Sequence, residues 1–399
     1  MKLFTKKILK CFSVLTLSLL IVLVGILGVY DYIIPDNVSF FEGDQLPVFM
    51  YAEASAVRLD NNDDTVCADY RLFDILPLKT VELSAYKDIQ LIPGGMPFGV
   101  KFFTQGIVVA GFCDVESYNG EVNPAKSAGL KAGDIITHIN GKPAAATADL
   151  SKAIEACGGS QITLTYIRGG EAHNVSLKPE KNKSDGKYKT GIIIRDSGAG
   201  IGTVSFIDPN SKMFAGLGHG ICDSETGELI PMRRGAVIDV TISGIQKGLS
   251  GAPGEIKGFF NREKLGSMIK NSECGIFGVF TDIPKNPLSG AIPIGLKNEL
   301  KEGEATIYCT LDDTGIHAYT INISDINKNA DGGKCFNIKV TDPALIEKTG
   351  GIIQGMSGSP IIQNGKLVGS VTHVLVNDPT RGYGIFVENM LSEMSKRSA

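Results

Sequence analysis

The hexapeptide Gly355-Met356-Ser357-Gly358-Ser359-Pro360 restricts the fold of this chain more than any other stretch. Small residues around a serine permit a tight turn that exposes its hydroxyl, and they let the amide N–H groups of Gly355 and Ser357 converge on one point in space. Bulky side chains would block that convergence. The turn leads into Ile361-Ile362-Gln363 and Leu367-Val368-Gly369-Ser370-Val371, two apolar runs joined through Asn364-Gly365, the dipeptide of a tight hairpin. A serine followed by a hairpin fits a β-barrel; the strand-serine-helix elbow of α/β-hydrolases requires a helix at this place.

A serine presented in this way is a candidate nucleophile, and a nucleophile needs a base. Of the five histidines, His219 stands out, because the glycines of Phe214-Ala215-Gly216-Leu217-Gly218-His219-Gly220-Ile221 leave its ring free to face a cleft. His138 and His173 fall in a separate module and His317 in a polar turn. His373, sixteen residues after Ser357, lies in a strand expected to shape the cleft. Cys222 reads as a small buried residue beside it. Three aspartates compete for the carboxylate that would orient the imidazole. Asp342 ends an alternating strand that Pro343 stops, Asp223 stands four residues after His219, and Asp239 lies in a Val-Ile-Asp-Val run. Each also fits the ordinary work of capping a turn.

The pattern Gly-x-Ser-Gly-x-Pro resembles the nucleophile turn of chymotrypsin-like proteases. Together with Leu76-Pro77-Leu78-Lys79-Thr80-Val81, Ile92-Pro93-Gly94-Gly95 and Gly216-Leu217-Gly218-His219-Gly220, in this order, it makes the chain similar to the SpoIVB family, the stage IV sporulation serine peptidases of endospore-forming bacteria. The resemblance implies a mainly β fold: an N-terminal transmembrane helix, a PDZ domain of α+β type, and a chymotrypsin-like β-barrel peptidase domain. It implies a catalytic set of His219, Asp342 and Ser357, an oxyanion hole made by the N–H groups of Gly355 and Ser357, and no metal or organic cofactor. Asp342 precedes the serine by only fifteen residues, whereas chymotrypsin-like enzymes carry the acid well upstream. The implied substrates are the enzyme's own chain and a membrane-bound regulator, cleaved between the forespore and mother-cell membranes. The alternative is a catalytically silent PDZ scaffold regulating another membrane protease; a scaffold would tolerate loss of Ser357 and His219, and both are intact.

Export is legible at the N-terminus. Lys2, Lys6, Lys7 and Lys10 precede an uncharged run from Cys11 to Tyr30, long enough to cross a bilayer, and Asp31, Asp36 and Glu42 follow it. This places residues 1–10 in the cytoplasm and makes 11–30 an anchor or an uncleaved signal. The 39 Lys and Arg less these four leave 35 against 43 acidic residues, and no basic patch points to nucleic acid. Of the eight cysteines, Cys11 lies in the apolar run and the other seven are widely spaced with no C-x-x-C pair, which fits neither a disulfide framework nor a structural zinc site.

Residues 31–85 read as a linker with a few strands, polar at Asn61-Asn62-Asp63-Asp64. From 86 to 180 the chain resembles a PDZ domain, most specifically through Ser127-Ala128-Gly129-Leu130-Lys131-Ala132-Gly133-Asp134-Ile135-Ile136. In such domains an apolar-Gly-apolar loop, here Phe98-Gly99-Val100, offers N–H groups to a peptide carboxylate and the peptide adds to the sheet edge. The peptidase domain then covers 185–399, with Asp196-Ser197-Gly198-Ala199-Gly200-Ile201-Gly202 as a turn at its beginning and the glycines at 382 and 384 walling a specificity pocket.

Overall fold

The computed structural model describes residues 2–59, 66–118, 120–223, 226–284 and 290–396, and it is mostly β. Two compact units make up the chain. The first comprises Met1–Ile89, Gly295–Leu300 and Asn327–Ala330. Its helix Lys2–Ile33 contains the apolar stretch Phe12–Ile33, 22 residues long, about 33 Å at the α-helical rise and sufficient by length and composition to cross a membrane. Residues 31–85 are more than a linker. Strands Asn37–Phe41, Leu76–Tyr86, Val66–Leu72 and Ala52–Leu59 form a sheet in that order, the first pair parallel, over a core of Tyr30, Ile34, Val38, Tyr70 and Val81. The polar Asn61–Asp64 segment lies outside the described residues.

The second unit comprises Gln90–Ile294, Lys301–Ile326 and Asp331–Ala399. It contains two rings of six strands. In the first, strands Pro97–Phe112, Met232–Gln246, Glu255–Ser272, Gly275–Phe280, Met213–Gly216 and Ile192–Ile207 are successive neighbours, and the last pairs with the first to close the ring. Phe98, Val100 and Phe102, at every second position of one strand, fill its interior with Val204, Phe214, Val237 and Phe280. The second is a closed barrel of Gly303–Thr310, Ile316–Ser324, Phe336–Val340, Asp378–Phe386, Lys366–Leu375 and Pro360–Gln363. The hairpin of Pro360–Gln363 and Lys366–Leu375 turns through Asn364 and Gly365 with φ of 53° and 77°, the left-handed pair that a type I′ turn needs.

The PDZ module sits between the first two strands of ring one in sequence. It has strands Ile135–Ile139, Ile162–Arg168 and Glu171–Leu177, helix Thr147–Ala156, and a core of Ile107, Leu130, Ile136, Leu150 and Leu164. The Gly133-Asp134 segment earns its specificity here: buried Asp134 takes both a bidentate ion pair from Arg168 (2.7 Å each) and the Lys131 N–H (2.8 Å).

Two expectations are corrected by this topology. Phe98-Gly99-Val100 is not a carboxylate loop but the middle of a ring-one strand. Gly99 is paired with Ile201 on one side and Ile238 on the other, so its main chain is already engaged. Glycine is needed there because a Cβ would lie 2.4 Å from the Phe260 ring. Nor is 196–202 a turn: it belongs to the uninterrupted strand Ile192–Ile207. A simple succession of a PDZ domain over 86–180 and a peptidase over 185–399 therefore misses the strand that residues 97–104 lend to ring one.

Candidate active site

Ring one delivers His219. The chain leaves strand Met213–Gly216 through Leu217 and Gly218, both left-handed (φ 66° and 67°), and this reversal turns the histidine toward the second barrel. A left-handed leucine costs about 1–2 kcal/mol, a local strain of the kind found where a side chain must be aimed. Ring two delivers Ser357 on the turn before strand Pro360–Gln363, with Gly355 at φ 99° and Gly358 at φ 96°. Space as well as conformation demands Gly358, since a Cβ there would stand 2.0 Å from Thr203 O and 2.5 Å from Leu217 N. Through this glycine the serine turn lies directly on ring one. Thr203 fastens it: its N–H donates to Ser357 O (3.0 Å) and its Oγ1 to Gly355 O (2.7 Å).

His219 and Ser357 face one cleft of about 410 Å³, shared with Cys222, Gln354, Gly355 and His373. Among the described residues no hydrogen bond uses the N–H of Gly355 or of Ser357, so both remain available to an oxyanion. His219 Nδ1 lies 2.9 Å from Gly220 O; with that nitrogen as the donor, Nε2 is the free acceptor. Burial lowers the His219 pKa, against an opposing effect of the Gly220 carbonyl, and keeps the ring neutral. The Ser357 hydroxyl donates to Thr372 O (2.7 Å) rather than to His219. Proton transfer to the imidazole therefore requires Oγ to leave that carbonyl.

Residues 186–391, just over half of the chain, match the model of the SpoIVB peptidase S55, and residues 105–178 match that of a PDZ domain. The chain belongs to the SpoIVB peptidase S55 family. Other relatives are shorter matches. A probable periplasmic serine protease do/HhoA-like of Haemophilus influenzae is 44% identical over 61 residues, 15% of this chain and 13% of that protein. A probable periplasmic serine endoprotease DegP-like of Pseudomonas putida is 26% identical over 170 residues, 42% of this chain and 32% of that one. The chain thus spans a small part of the length of these curated relatives. Among solved structures, the active form of the Rv3671c protease from M. tuberculosis is 14% identical, covers 51% of this chain and 75% of its own, and has a TM-score of 0.29.

In this SpoIVB-family chain the structure brings together His219, Ser357 and the N–H groups of Gly355 and Ser357, but it does not bring Asp342 to them. Asp342 is the N-cap of helix Pro343–Thr349: Oδ1 accepts from Ala344 N (2.9 Å) and Leu345 N (3.1 Å), and Oδ2 from Thr320 N (3.3 Å). Asp223 is ion-paired with Arg195 and accepts from Thr226 N, and Asp239 accepts from Asn261 Nδ2. The place an acid would take on His219 Nδ1 is occupied by the Gly220 carbonyl. Cys222 is exposed, not buried, on the wall of the cleft. His373 lies against His219 with ring centroids 4.7 Å apart and the rings tilted by 33°, and burial, followed by the neighbouring His219 and Lys334, pushes its pKa down to about 4. Both rings are then uncharged at neutral pH. The roles of Thr203, Gly220 and Thr372 are not legible in the sequence, because Gly220 and Thr372 act through their carbonyls and Thr203 partly through its N–H, groups that leave no residue signature. Among the described residues no group of three or more His, Cys, Asp and Glu could hold a metal, and the seven described cysteines are free thiols.

Proposed function

We propose that this chain is a serine endopeptidase, held at a membrane by its N-terminal helix, that cleaves peptide bonds outside the cytoplasm. The observation that carries the reading is the meeting of His219 from one ring and Ser357 from the other in a single cleft, beside two unengaged N–H groups. Ser357 Oγ attacks the substrate carbonyl and its proton passes to His219 Nε2, while Gly220 O holds Nδ1–H and fixes the tautomer. The carbonyl oxygen becomes the oxyanion between the N–H groups of residues 355 and 357, where one such donor is worth about 3–4 kcal/mol. The imidazolium returns the proton to the leaving amine, and water hydrolyses the acyl-enzyme by the reverse sequence.

Family membership supports a finer reading: the enzyme processes its own chain and cleaves a membrane-bound regulatory protein in signalling between compartments during spore formation, with peptide recognition by the PDZ domain. Two experiments test it. Mass spectrometry of the purified full-length chain should find time-dependent self-cleavage that Ser357→Ala abolishes. In an endospore former lacking its own family member, the wild-type chain should restore heat-resistant spores and Ser357→Ala should not; equal rescue by both would point to the silent scaffold.

A further inference from the structure

A PDZ domain receives an extended peptide as an added strand, between a sheet edge and a flanking helix. Here the edge is the 107–112 part of strand 97–112, the helix is Thr147–Ala156, and the place is already filled. Residues 192–195 run antiparallel to the edge, with Ile192 opposite Phe112, Ile193 opposite Gly111, Ile194 opposite Val109 and Arg195 opposite Val108. The pairing extends upstream, since Cys113 N donates to Gly191 O and Ala125 N to Thr190 O, both at 3.0 Å. Ile192 and Ile194 pack against the PDZ core beside Leu150 and Ile154, whereas Ile193 is 47% exposed. Asp196 Oδ2 accepts from Thr147 N (2.8 Å) and Oγ1 (3.3 Å) at the N-terminus of the flanking helix, the end that favours negative charge. Arg195 is ion-paired with Asp223, four residues beyond His219. The same strand then continues to Thr203, which fastens the Ser357 turn.

We propose that residues 190–196 are an intramolecular ligand of the PDZ groove, and that a peptide partner binds by displacing them. The strap displays the partner's chemistry: an extended segment with branched aliphatic residues at two alternate positions and an acidic group two residues further on. Displacement separates Arg195 from Asp223 and loosens the strand that holds the nucleophile turn, so groove occupancy and Ser357 reactivity are linked. Only that link rests on the peptidase reading. A tethered strap has an effective concentration on the order of mM; with an intrinsic dissociation constant on the order of 10 µM it leaves the groove free about 1% of the time and weakens a competitor about 100-fold.

A lockable strap tests this. In the full-length chain carrying Cys113→Ser, the pair Gly111→Cys and Ile193→Cys places thiols at directly opposed positions, where a Cβ on residue 111 meets only the Ile193 side chain, at 3.9 Å. The probe is a fluorescein-labelled peptide of sequence TGIIIRDSG, read by anisotropy. Wild type and the reduced pair should bind it weakly, the oxidised pair not at all, and an opened Ile194→Ala/Asp196→Ala variant at least 10-fold more tightly than wild type. Equal binding by the oxidised and reduced forms of the one polypeptide, or a gain below 2-fold in an opened variant whose 162–168 strand keeps its hydrogen-exchange protection, would overturn the proposal. Saturating peptide should also change the rate of fluorophosphonate labelling at least 3-fold in the reduced form and leave the oxidised form unchanged. An unaltered rate in both would break the link. If Ser357 were no nucleophile, labelling would be absent throughout while the binding contrast stood.

Discussion

Replacing Asp342 by asparagine and by alanine separates the two jobs this residue could do. In the structure its carboxylate accepts three backbone N–H bonds, two of them from the first turn of helix Pro343–Thr349, with Pro343 pre-set for the first helical position. Asparagine keeps both N-cap bonds at Oδ1 and loses only the longer bond from Thr320 N at Oδ2 (3.3 Å), so Asp342→Asn should cost less than alanine, which loses all three bonds and about 1 kcal/mol for the cap alone. For a domain of roughly 200 residues, 1 kcal/mol lowers Tm by about 2–4 °C. A triad acid behaves oppositely: its change to asparagine leaves the fold intact and lowers kcat about 10⁴-fold. The expectation is therefore that Asp342→Asn keeps kcat/KM on a peptide substrate within about 3-fold of wild type. Asp342→Ala should lower Tm by a few degrees and retain activity well below it. Calorimetry and steady-state kinetics on the same preparations measure both quantities. A loss of three or more orders of magnitude in Asp342→Asn at unchanged Tm would refute the capping argument and restore the acid role that family resemblance implies.

The burial that lowers the His219 pKa also sets an acid limit. The neutral ring is the base, so depression extends the active form downward, and kcat/KM should reach half its plateau at a pH below 6.5; a midpoint above 6.5 would contradict the depression. Gly358→Ala should cost well over 3 kcal/mol in denaturant unfolding or prevent folding, because its Cβ meets Thr203 O at 2.0 Å. Gly365→Ala, left-handed but in open space, should cost only about 1–2 kcal/mol. Gly99→Val should destabilise ring one against the Phe260 ring, seen as lost hydrogen-exchange protection in strands 232–246 and 255–272; unchanged protection with weakened PDZ peptide binding would favour the loop reading instead.

What the sequence disclosed followed from local chemistry. Asn364-Gly365 named its hairpin because a type I′ turn needs two left-handed residues, and the glycine frames of Ser357 and His219 marked their turns for related reasons. Phe98-Gly99-Val100 misled because an apolar-Gly-apolar triplet serves equally in a PDZ loop and in a strand whose glycine clears an aromatic ring. Only the pairing of that strand with residues 197–203 and 232–238, more than ninety positions away, decides between them. The glycines at 198, 200 and 202 read as a turn for want of side chains, yet Gly202 stays in its strand with a Cβ site 2.0 Å from Leu217, and Gly198 faces the Phe102 ring. Asp342 shows the same limit. An aspartate before a proline after a strand fits a cap and a catalytic acid alike, and only its three N–H partners distinguish the two.

The central claim is that Ser357, served by His219, is a reactive nucleophile in a cleft between two six-stranded rings. Labelling of the full-length chain by a serine-directed fluorophosphonate, followed by peptide mapping, addresses it most directly. The account predicts modification at Ser357 in wild type, none in Ser357→Ala, and a rate at least 100-fold lower in His219→Ala. Labelling of another serine, or equal rates with and without His219 in folded protein, would contradict it.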